Sequence, residues 1–467
     1  MIEFILNDQT IRTRQPASMT LLDFIRYEQH LTGTKIGCRE GDCGACTLLI
    51  GKEHNGQLHY ESMTSCITPL GNVAGKHVVS VEGVNSEDLN PVQQAMVDSG
   101  GTQCGFCTVG FVMSLCGYCL TTDNPTREGA ISAIDGNICR CTGYKSIEKA
   151  ASDIATQLRG IKREDQINWL VDRGFLPDYF QTIPDRLLEL KTPDIPENGK
   201  VVIGGGTDLY VQKHDDLAET EEVQLVFDKP EWNNIRREGD QIVIGASATA
   251  TGMMESEVMQ EAFPNLYRHM KLVSSTQIRN MGTVAGNFVN ASPIGDLTAF
   301  FIALNSTIEL AGSNGKKRQL LLKDFYKGYK ELDKQPEEQV STIRFPVPDE
   351  HTRFNFEKVS KRTYLDIASV NTAIRIRVVD GVINEIHLSA GGVGPTPKYL
   401  GQTCEFLTGK SLFADHLAEA EEIIQAEISP ISDVRGSEIY KRTLLRQLFY
   451  AHFAELYPGV IENGVQA

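Results

Sequence analysis

Ten of the eleven cysteines lie before residue 142, and eight of those ten fall into two spacings that dictate what must fold around them. The first set is Cys38, Cys43, Cys46 and Cys66, spaced C-x4-C-x2-C, then nineteen residues, then C. Its loop reads Gly37-Cys38-Arg39-Glu40-Gly41-Asp42-Cys43-Gly44-Ala45-Cys46. That is the plant-type [2Fe–2S] ligand pattern, in which one tight loop wraps a small cluster and a distant thiolate closes it. Gly37, Gly41 and Gly44 suit such a loop, because they tolerate positive φ and let backbone N–H groups approach the sulfurs. Zinc usually pairs a C-x2-C with a second such pair or with histidines. The second set is Cys104, Cys107, Cys139 and Cys141, spaced C-x2-C, thirty-one residues, C-x-C. A C-x-C pair suits a bridging cluster better than a mononuclear site. Its place near expected helix N-termini suits anionic thiolates. Cys116 and Cys119 form a rival C-x2-C inside the apolar run Phe111 to Leu120, where small buried residues of a helix core are the simpler reading.

Length allows about three domains. Apolar content of 41% and charged content of 23% are those of an ordinary globular protein. A net charge of −16 argues against nucleic acid as the main partner, since phosphate binding needs a basic face. Met1 to Asp8 has neither the basic start nor the long apolar run of a signal peptide. Apolar runs such as Val109 to Leu120 are too short to span a bilayer, so no membrane contact is expected. Cysteine crowding without an export signal then points to metal binding in a reducing cytoplasm rather than to disulfides.

In chain order, residues 1–82 read as a small α+β unit. Ile2, Phe4 and Leu6 alternate, Asn7-Asp8 turns the strand, and Thr20 with Asp23 opens a helix. Thr47 to Ile50 reads as a strand, Gly51 to Gly56 as a turn region, and Val78 to Val81 as the last strand. Residues 83–158 read as four helices. They open at Asn90-Pro91, at Thr108, at Asn124 or Thr126, and at Ser146. Residues 159–180 are polar, of mixed charge, and read as a linker. Val201-Val202-Ile203 is a short strand followed by Gly204-Gly205-Gly206-Thr207-Asp208, which is either a nest of N–H groups for a pyrophosphate or a plain tight turn. A second glycine-rich stretch, Gln277 to Asn287, continues to Asp296. Together they suit a dinucleotide held by backbone contacts, or two loops of a structural sheet. Beyond residue 350, Val370 to Val378, Asp380-Gly381 and Val382 to Ala390 read as a hairpin, and residues 413–427 and 435–455 as helices.

The motifs Glu40 to Cys46, Gln103 to Thr108, Gly136 to Tyr144, Gln277 to Asn287 and Ala291 to Asp296, in this order, are those of a family. The whole chain resembles the small iron–sulfur and flavin subunit of bacterial two-subunit xanthine dehydrogenases, within the molybdenum hydroxylases. The resemblance implies a multidomain α+β fold. It comprises a β-grasp [2Fe–2S] ferredoxin domain (1–82), a four-helix [2Fe–2S] domain (83–158), a two-part α+β FAD-binding domain (181–348) and a C-terminal α+β domain (349–467). It implies two [2Fe–2S] clusters, held by the eight cysteines named above, and FAD held by Gly204, Gly205, Gly206, Thr207, Asp208, Thr283, Gly286, Asn287, Ser292 and Asp296. Lys358 matches a lysine near the isoalloxazine; a solvated strand lysine is the plainer alternative. Gln103 matches a glutamine that approaches the pterin of a partner. The resemblance implies a molybdopterin-binding large subunit, a heterotetramer of two small and two large subunits, and NAD+ as acceptor. Electrons from xanthine or hypoxanthine would pass to the clusters, then to FAD. Aldehyde or another N-heterocycle is the alternative substrate class. A zinc-stabilised scaffold is the alternative of a different kind. Carbon monoxide dehydrogenase relatives generally carry the iron–sulfur and flavin parts on separate chains, so the fusion points to the xanthine type. Two residues depart from the pattern: Val109 replaces a usual Pro, and Val273 stands where animal relatives have an aromatic residue over the flavin.

Overall fold

The alternation expected over the first strand gives way to burial on both faces. In β1 (Ile2–Leu6) all five residues are buried, and Glu3 is tolerated there because Arg12 reaches it at 3.0 Å. The computed structural model describes residues 1–462 except 55, 56, 192–198, 219, 221 and 314. It divides into one unit of residues 1–227 with 275–282, and another of residues 228–274 with 283–467.

In the first unit β1 turns at Asn7 (φ 52°) into β2 (Gln9–Thr13). Asn tolerates this left-handed conformation better than most residues. With β3 (Thr47–His54), β4 (Gln57–Thr64) and β5 (His77–Val79) they form a sheet of order β2-β1-β5-β3-β4. β1 and β5 run parallel while the other pairs are antiparallel. The helical turn Leu21–Asp23, capped by Thr20, packs Leu22, Phe24 and Ile25 against Phe4, Leu48, Ile50 and Val78. The turn expected from Gly51 is strand instead. Gly51 pairs with Tyr60, and a Cβ there would sit 2.5 Å from the Tyr60 ring, so glycine is what lets the ring lie across the strand. Residues 55 and 56 of that expected turn lie outside the described residues.

Four helices follow: α1 (Pro91–Asp98), α2 (Thr108–Thr121), α3 (Arg127–Ala133) and α4 (Lys145–Gln157). Asn90 and Gln93 form a capping box on α1, and Thr126 rather than Asn124 caps α3. α4 opens at Tyr144, in the left-handed region at φ 69°, and not at Ser146. Every residue of α2 from Gly110 to Leu120 is buried, because Leu49, Tyr60 and Val79 of the sheet share one core with it and the other helices. The segment 159–180 is no exposed linker. It forms the helix Gln166–Asp172, and Leu170, Phe175, Leu176 and Phe180 belong to that same core. Val201–Ile203 and Val223–Leu225 pair in parallel, and Ile203, Tyr210, Val223 and Met281 join the core of the β-grasp sheet. The stretch expected as a two-part flavin domain thus has its two parts in different units.

Among its described residues the second unit holds a two-stranded antiparallel sheet, Tyr326–Gly328 with Glu331–Leu332, and two larger antiparallel sheets. One has five strands and includes Gln241–Gly245, Thr307–Gly312 and Glu338–Pro346. The other is built on Thr352–Val359 and the hairpin Val370–Val379 with Val382–Gly391, turned at Asp380 and Gly381. The helices Ala414–Glu427 and Glu438–Leu456 cover it through Leu417, Ile424, Leu445 and Phe449. Among the described residues no helix is long and apolar enough to cross a membrane.

Candidate cluster and flavin sites

Positive φ at Arg39 (59°), Gly41 (78°) and Gly44 (68°) coils the loop that carries Cys38, Cys43 and Cys46. Cys66 arrives from the 3-10 turn Ser65–Ile67 that ends β4. A Cβ on Gly37 would stand 2.5 Å from Cys43 Sγ, so the loop closes only around glycine there. The backbone N–H groups of Glu40 and Cys43 donate to Cys38 Sγ at 3.3 and 3.4 Å. Hydrogen bonding from Cys43 holds the Cys38 thiol far below its ordinary pKa, and hydrogen bonding from Cys66 lowers that of Cys46. Arg39 anchors the loop through a two-point ion pair with Asp23, at 2.7 and 3.0 Å.

The second quartet is more open, with Cys104 and Cys141 exposed and Cys139 buried. Cys104 and Cys141 bring their sulfurs to 3.7 Å, close to the edge of about 3.8 Å for a tetrahedron with metal–thiolate bonds near 2.3 Å. Cys107 stands at the N-cap of α2. Cys141 N, Thr142 N and Thr142 Oγ1 donate to Cys139 Sγ at 3.4, 3.5 and 3.2 Å. Burial pushes the Cys139 thiol up, and hydrogen bonds from Thr142, Cys141 and Cys107 together more than offset it, so the thiol ends below its ordinary pKa. Tyr144, whose role its sequence position does not reveal, accepts a hydrogen bond from Cys139 N at 3.0 Å. Gln103 donates to Cys141 O at 3.2 Å.

Cys116 and Cys119 are different: burial alone pushes Cys116 up to about 12, and Cys119 rises well above its ordinary value chiefly through burial. Among the described residues no three His, Cys, Asp or Glu side chains converge to hold one metal ion. A two-iron cluster asks for something else, two thiolates on each iron, and each quartet supplies four free cysteines.

On the flavin side Gly204 to Asp208 follow Val201–Ile203, with Gly206 at φ 87°. A Cβ on Gly205 would lie 1.9 Å from Met281 O, so the turn presses directly on the second glycine-rich stretch. Gly204 O accepts from Asn72 Nδ2 at 2.9 Å. These residues belong to the first unit; the other flavin candidates belong to the second. There Thr283 caps the helix Val284–Asn290, accepting from Gly286 N at 3.1 Å. Asn287 Oδ1 accepts from Thr298 N and Oγ1 at 3.0 Å, and Ser292 Oγ from Ile294 N at 3.4 Å. Asp296 opens the helix Asp296–Ala303. Lys358 is no solvated strand lysine: its side chain is 1% exposed, and Nζ donates to Asp296 Oδ2 and to Leu272 O, both at 2.7 Å. Asn371, which sequence reasoning missed, donates to Asp296 Oδ1 at 2.6 Å, and its own buried Oδ1 has no partner among the described residues. In the first unit the glycine turn suits a phosphate-bearing group, and in the second the unsatisfied buried amide oxygen of Asn371 suits a polar ligand.

Four family models tile the chain. They are a 2Fe-2S iron-sulfur cluster binding domain over residues 4–71 and a [2Fe-2S] binding domain over 80–152. The FAD binding domain in molybdopterin dehydrogenase follows over 184–348, and the CO dehydrogenase flavoprotein C-terminal domain over 356–456. These four domains match those of the small 2Fe-2S and FAD subunit of molybdenum hydroxylases. The chain carries two [2Fe–2S] domains and an FAD domain. Similar proteins include xanthine dehydrogenase 1 of Arabidopsis thaliana (28% identical over 94% of this chain and 38% of the relative). Xanthine dehydrogenase of Emericella nidulans is 30% identical over 88% of this chain and 35% of the relative. Aldehyde oxidase 4 of Cavia porcellus is 27% identical over 96% and 39%. The chain therefore spans less than two fifths of the curated relatives it matches. Among solved structures, a reconstituted CO dehydrogenase from Oligotropha carboxidovorans has a TM-score of 0.50 and 28% identity, covering 53% of this chain and 87% of that one. Quinoline 2-oxidoreductase from Pseudomonas putida 86, at 21% identity and a TM-score of 0.51, covers 58% of this chain and 100% of its own and shows a shared fold.

Proposed function

We propose that this chain is the electron-transfer part of a two-subunit xanthine dehydrogenase. It would work beside a large subunit that binds molybdopterin and oxidises xanthine or hypoxanthine, with NAD+ as final acceptor. The observation that carries this reading is the union of two thiolate quartets and a flavin fold in one chain. Cys38, Cys43, Cys46 and Cys66 would hold one cluster, and Cys104, Cys107, Cys139 and Cys141 the other. The clusters handle single electrons and the flavin collects two for a hydride acceptor. The protein's own contribution is positional and electrostatic. Backbone N–H groups of Glu40, Cys43, Cys141 and Thr142 stabilise negative sulfur. Gly204 to Asp208 of the first unit would offer main-chain donors to a pyrophosphate, and Thr283, Gly286, Asn287 and Ser292 are the flavin-binding candidates of the second unit. Asp296 pairs with Lys358 at 2.7 Å in a buried place, where a cation would favour an anionic reduced ring.

The working domain boundaries are 1–82, 83–158, 181–348 and 349–467, the assembly two small and two large subunits, and the compartment a reducing cytoplasm suited to free thiols. A second reading, an aldehyde as substrate, rests on the comparable match to the Cavia porcellus aldehyde oxidase. Purification of the chain with its large subunit tests both. Xanthine-dependent reduction of NAD+ supports the first. Turnover of aldehydes without xanthine supports the second. Prompt reoxidation by oxygen or a quinone, with none by NAD+, removes the acceptor assignment.

A further inference from the structure

Residues 275–282 reach the first unit from far along the chain, and they bolt two of its parts together. Thr276 N donates to Asp135 Oδ1 at 2.7 Å, and Arg279 pairs with Asp135 Oδ2 at 2.8 Å with both side chains almost fully buried. Asn280 Nδ2 donates to Ser62 O of β4 at 2.8 Å. Between these bolts Gln277, fully buried, sends Nε2 to Ser114 Oγ at 2.9 Å and to Asn137 Oδ1 at 3.1 Å. Ser114 Oγ donates to the same Asn137 Oδ1 at 2.7 Å.

That leaves Asn137 Nδ2 aimed at Gly44 O, 3.1 Å away. The next residue along, Ile138, donates its N–H to Cys43 O at 3.1 Å. Cys43 belongs to one thiolate quartet and Cys139, bonded to Ile138, to the other. One main-chain hydrogen bond therefore joins the two cluster loops. The seam has no slack: a Cβ on Gly44 would meet Asn137 Nδ2 at 2.4 Å, one on Gly110 would meet Gly44 O at 2.1 Å, and one on Gly136 would meet Gln277 Oε1 at 2.0 Å.

We propose that Gln277 is a positioning residue for electron transfer between the two clusters. Through Ser114 and Asn137 it fixes the Cys43 carbonyl against the Ile138 amide. This rests on the cluster assignments made above. Each passage moves one electron, lost by the quartet of Cys104, Cys107, Cys139 and Cys141 and gained by that of Cys38, Cys43, Cys46 and Cys66, with no bond made or broken. Tunnelling decays steeply with distance and is poorest across a gap, so a held hydrogen bond is a better bridge than a loosened one. Gln277 touches neither quartet, which separates its role from ligation.

The test uses the holoprotein with its large subunit. Gln277→Leu keeps the bulk and removes the donor, while Gln277→His restores a donor and serves as rescue. Iron content and the EPR signal of each cluster are measured first; if the unaltered protein lacks two clusters, the cluster assignment itself fails. Rapid-freeze EPR after substrate or dithionite then follows reduction of one cluster by the other. Gln277→Leu should retain about four irons and both midpoint potentials. It should slow transfer between the clusters several-fold and weaken the spin–spin splitting of the fully reduced protein, with partial recovery in Gln277→His. An unchanged rate and splitting in protein with full iron content would overturn the proposal. If Gln277→Leu does not fold, Ser114→Ala, which loosens the same amide, decides on the same two readouts.

Discussion

Cys116 and Cys119 show how far a residue's spacing can be trusted. As a C-x2-C they compete on paper with the ligands, yet both are buried in α2 with pKa values raised by burial, so they are neutral core thiols. Changing both to Ala should cost packing, about 1 kcal/mol each by analogy with small core truncations, with iron and both EPR signals retained. Changing Cys139 and Cys141 to Ala should remove one EPR signal and about half the iron. The opposite pattern, found by metal analysis of the two double variants, would sink the ligand assignment. Lys358 is the reverse case. Nothing local distinguishes it from an exposed strand lysine, because its partner Asp296 lies 62 residues earlier and only the fold brings them together. Lys358→Met should cost up to about 3 kcal/mol by leaving the Asp296 carboxylate, only 11% exposed, without its cation. Thermal unfolding and flavin content check it: unchanged values in both would mean that Asp296 does not depend on the lysine.

Helices were legible where a cap announced them, and strands where a turn did. Asn90 with Pro91 and Gln93 marks the start of α1, and Asn90→Ala should cost about 1 kcal/mol, readable as a lowered denaturation midpoint. Asp380-Gly381 marks the second unit's hairpin. The segment 159–180 was illegible because Leu170, Phe175, Leu176 and Phe180 are apolar at no helical or strand period among charged neighbours; their burial comes from the partners they meet. Histidines buried within these elements set an acid limit. Burial holds His77 and His452 neutral with pKa values lowered to about 3, and His269 to about 4. The unfolded chain takes up these protons near pH 6.5 while the folded chain does not, so the unfolded state binds more protons below that pH. Stability is then full above about pH 6.5 and falls as pH drops toward 4, by up to about 1.4 kcal/mol per unit for each histidine. Melting curves between pH 8 and 5 measure this, and a flat midpoint in the His77→Gln, His269→Gln, His452→Gln triple variant would assign the slope to these residues.

For the whole molecule, the family and its cofactors could be read from motifs because thiolate spacing and glycine turns are local in sequence. The separation into two units could not, since residues 275–282 sit inside a flavin-type motif yet fold with the iron–sulfur part. Expressed without the proposed large subunit, the chain should show at most NADH-to-dye activity. Hydroxylation of xanthine by the isolated chain, followed by urate absorbance, would contradict the division of labour proposed above. The same eight residues bear on how such a chain could be encoded. A gene cut after codon 227 would leave the first product without Ile278 and Met281 of its own core, and without Gln277, Arg279 and Asn280 at its polar seam. The second product would display those side chains with nothing to receive them. Two separate reading frames should then yield insoluble halves unless translated together, whereas adding a copy of the octapeptide to the end of the first half should rescue it. Here it is folding that holds the message in one piece.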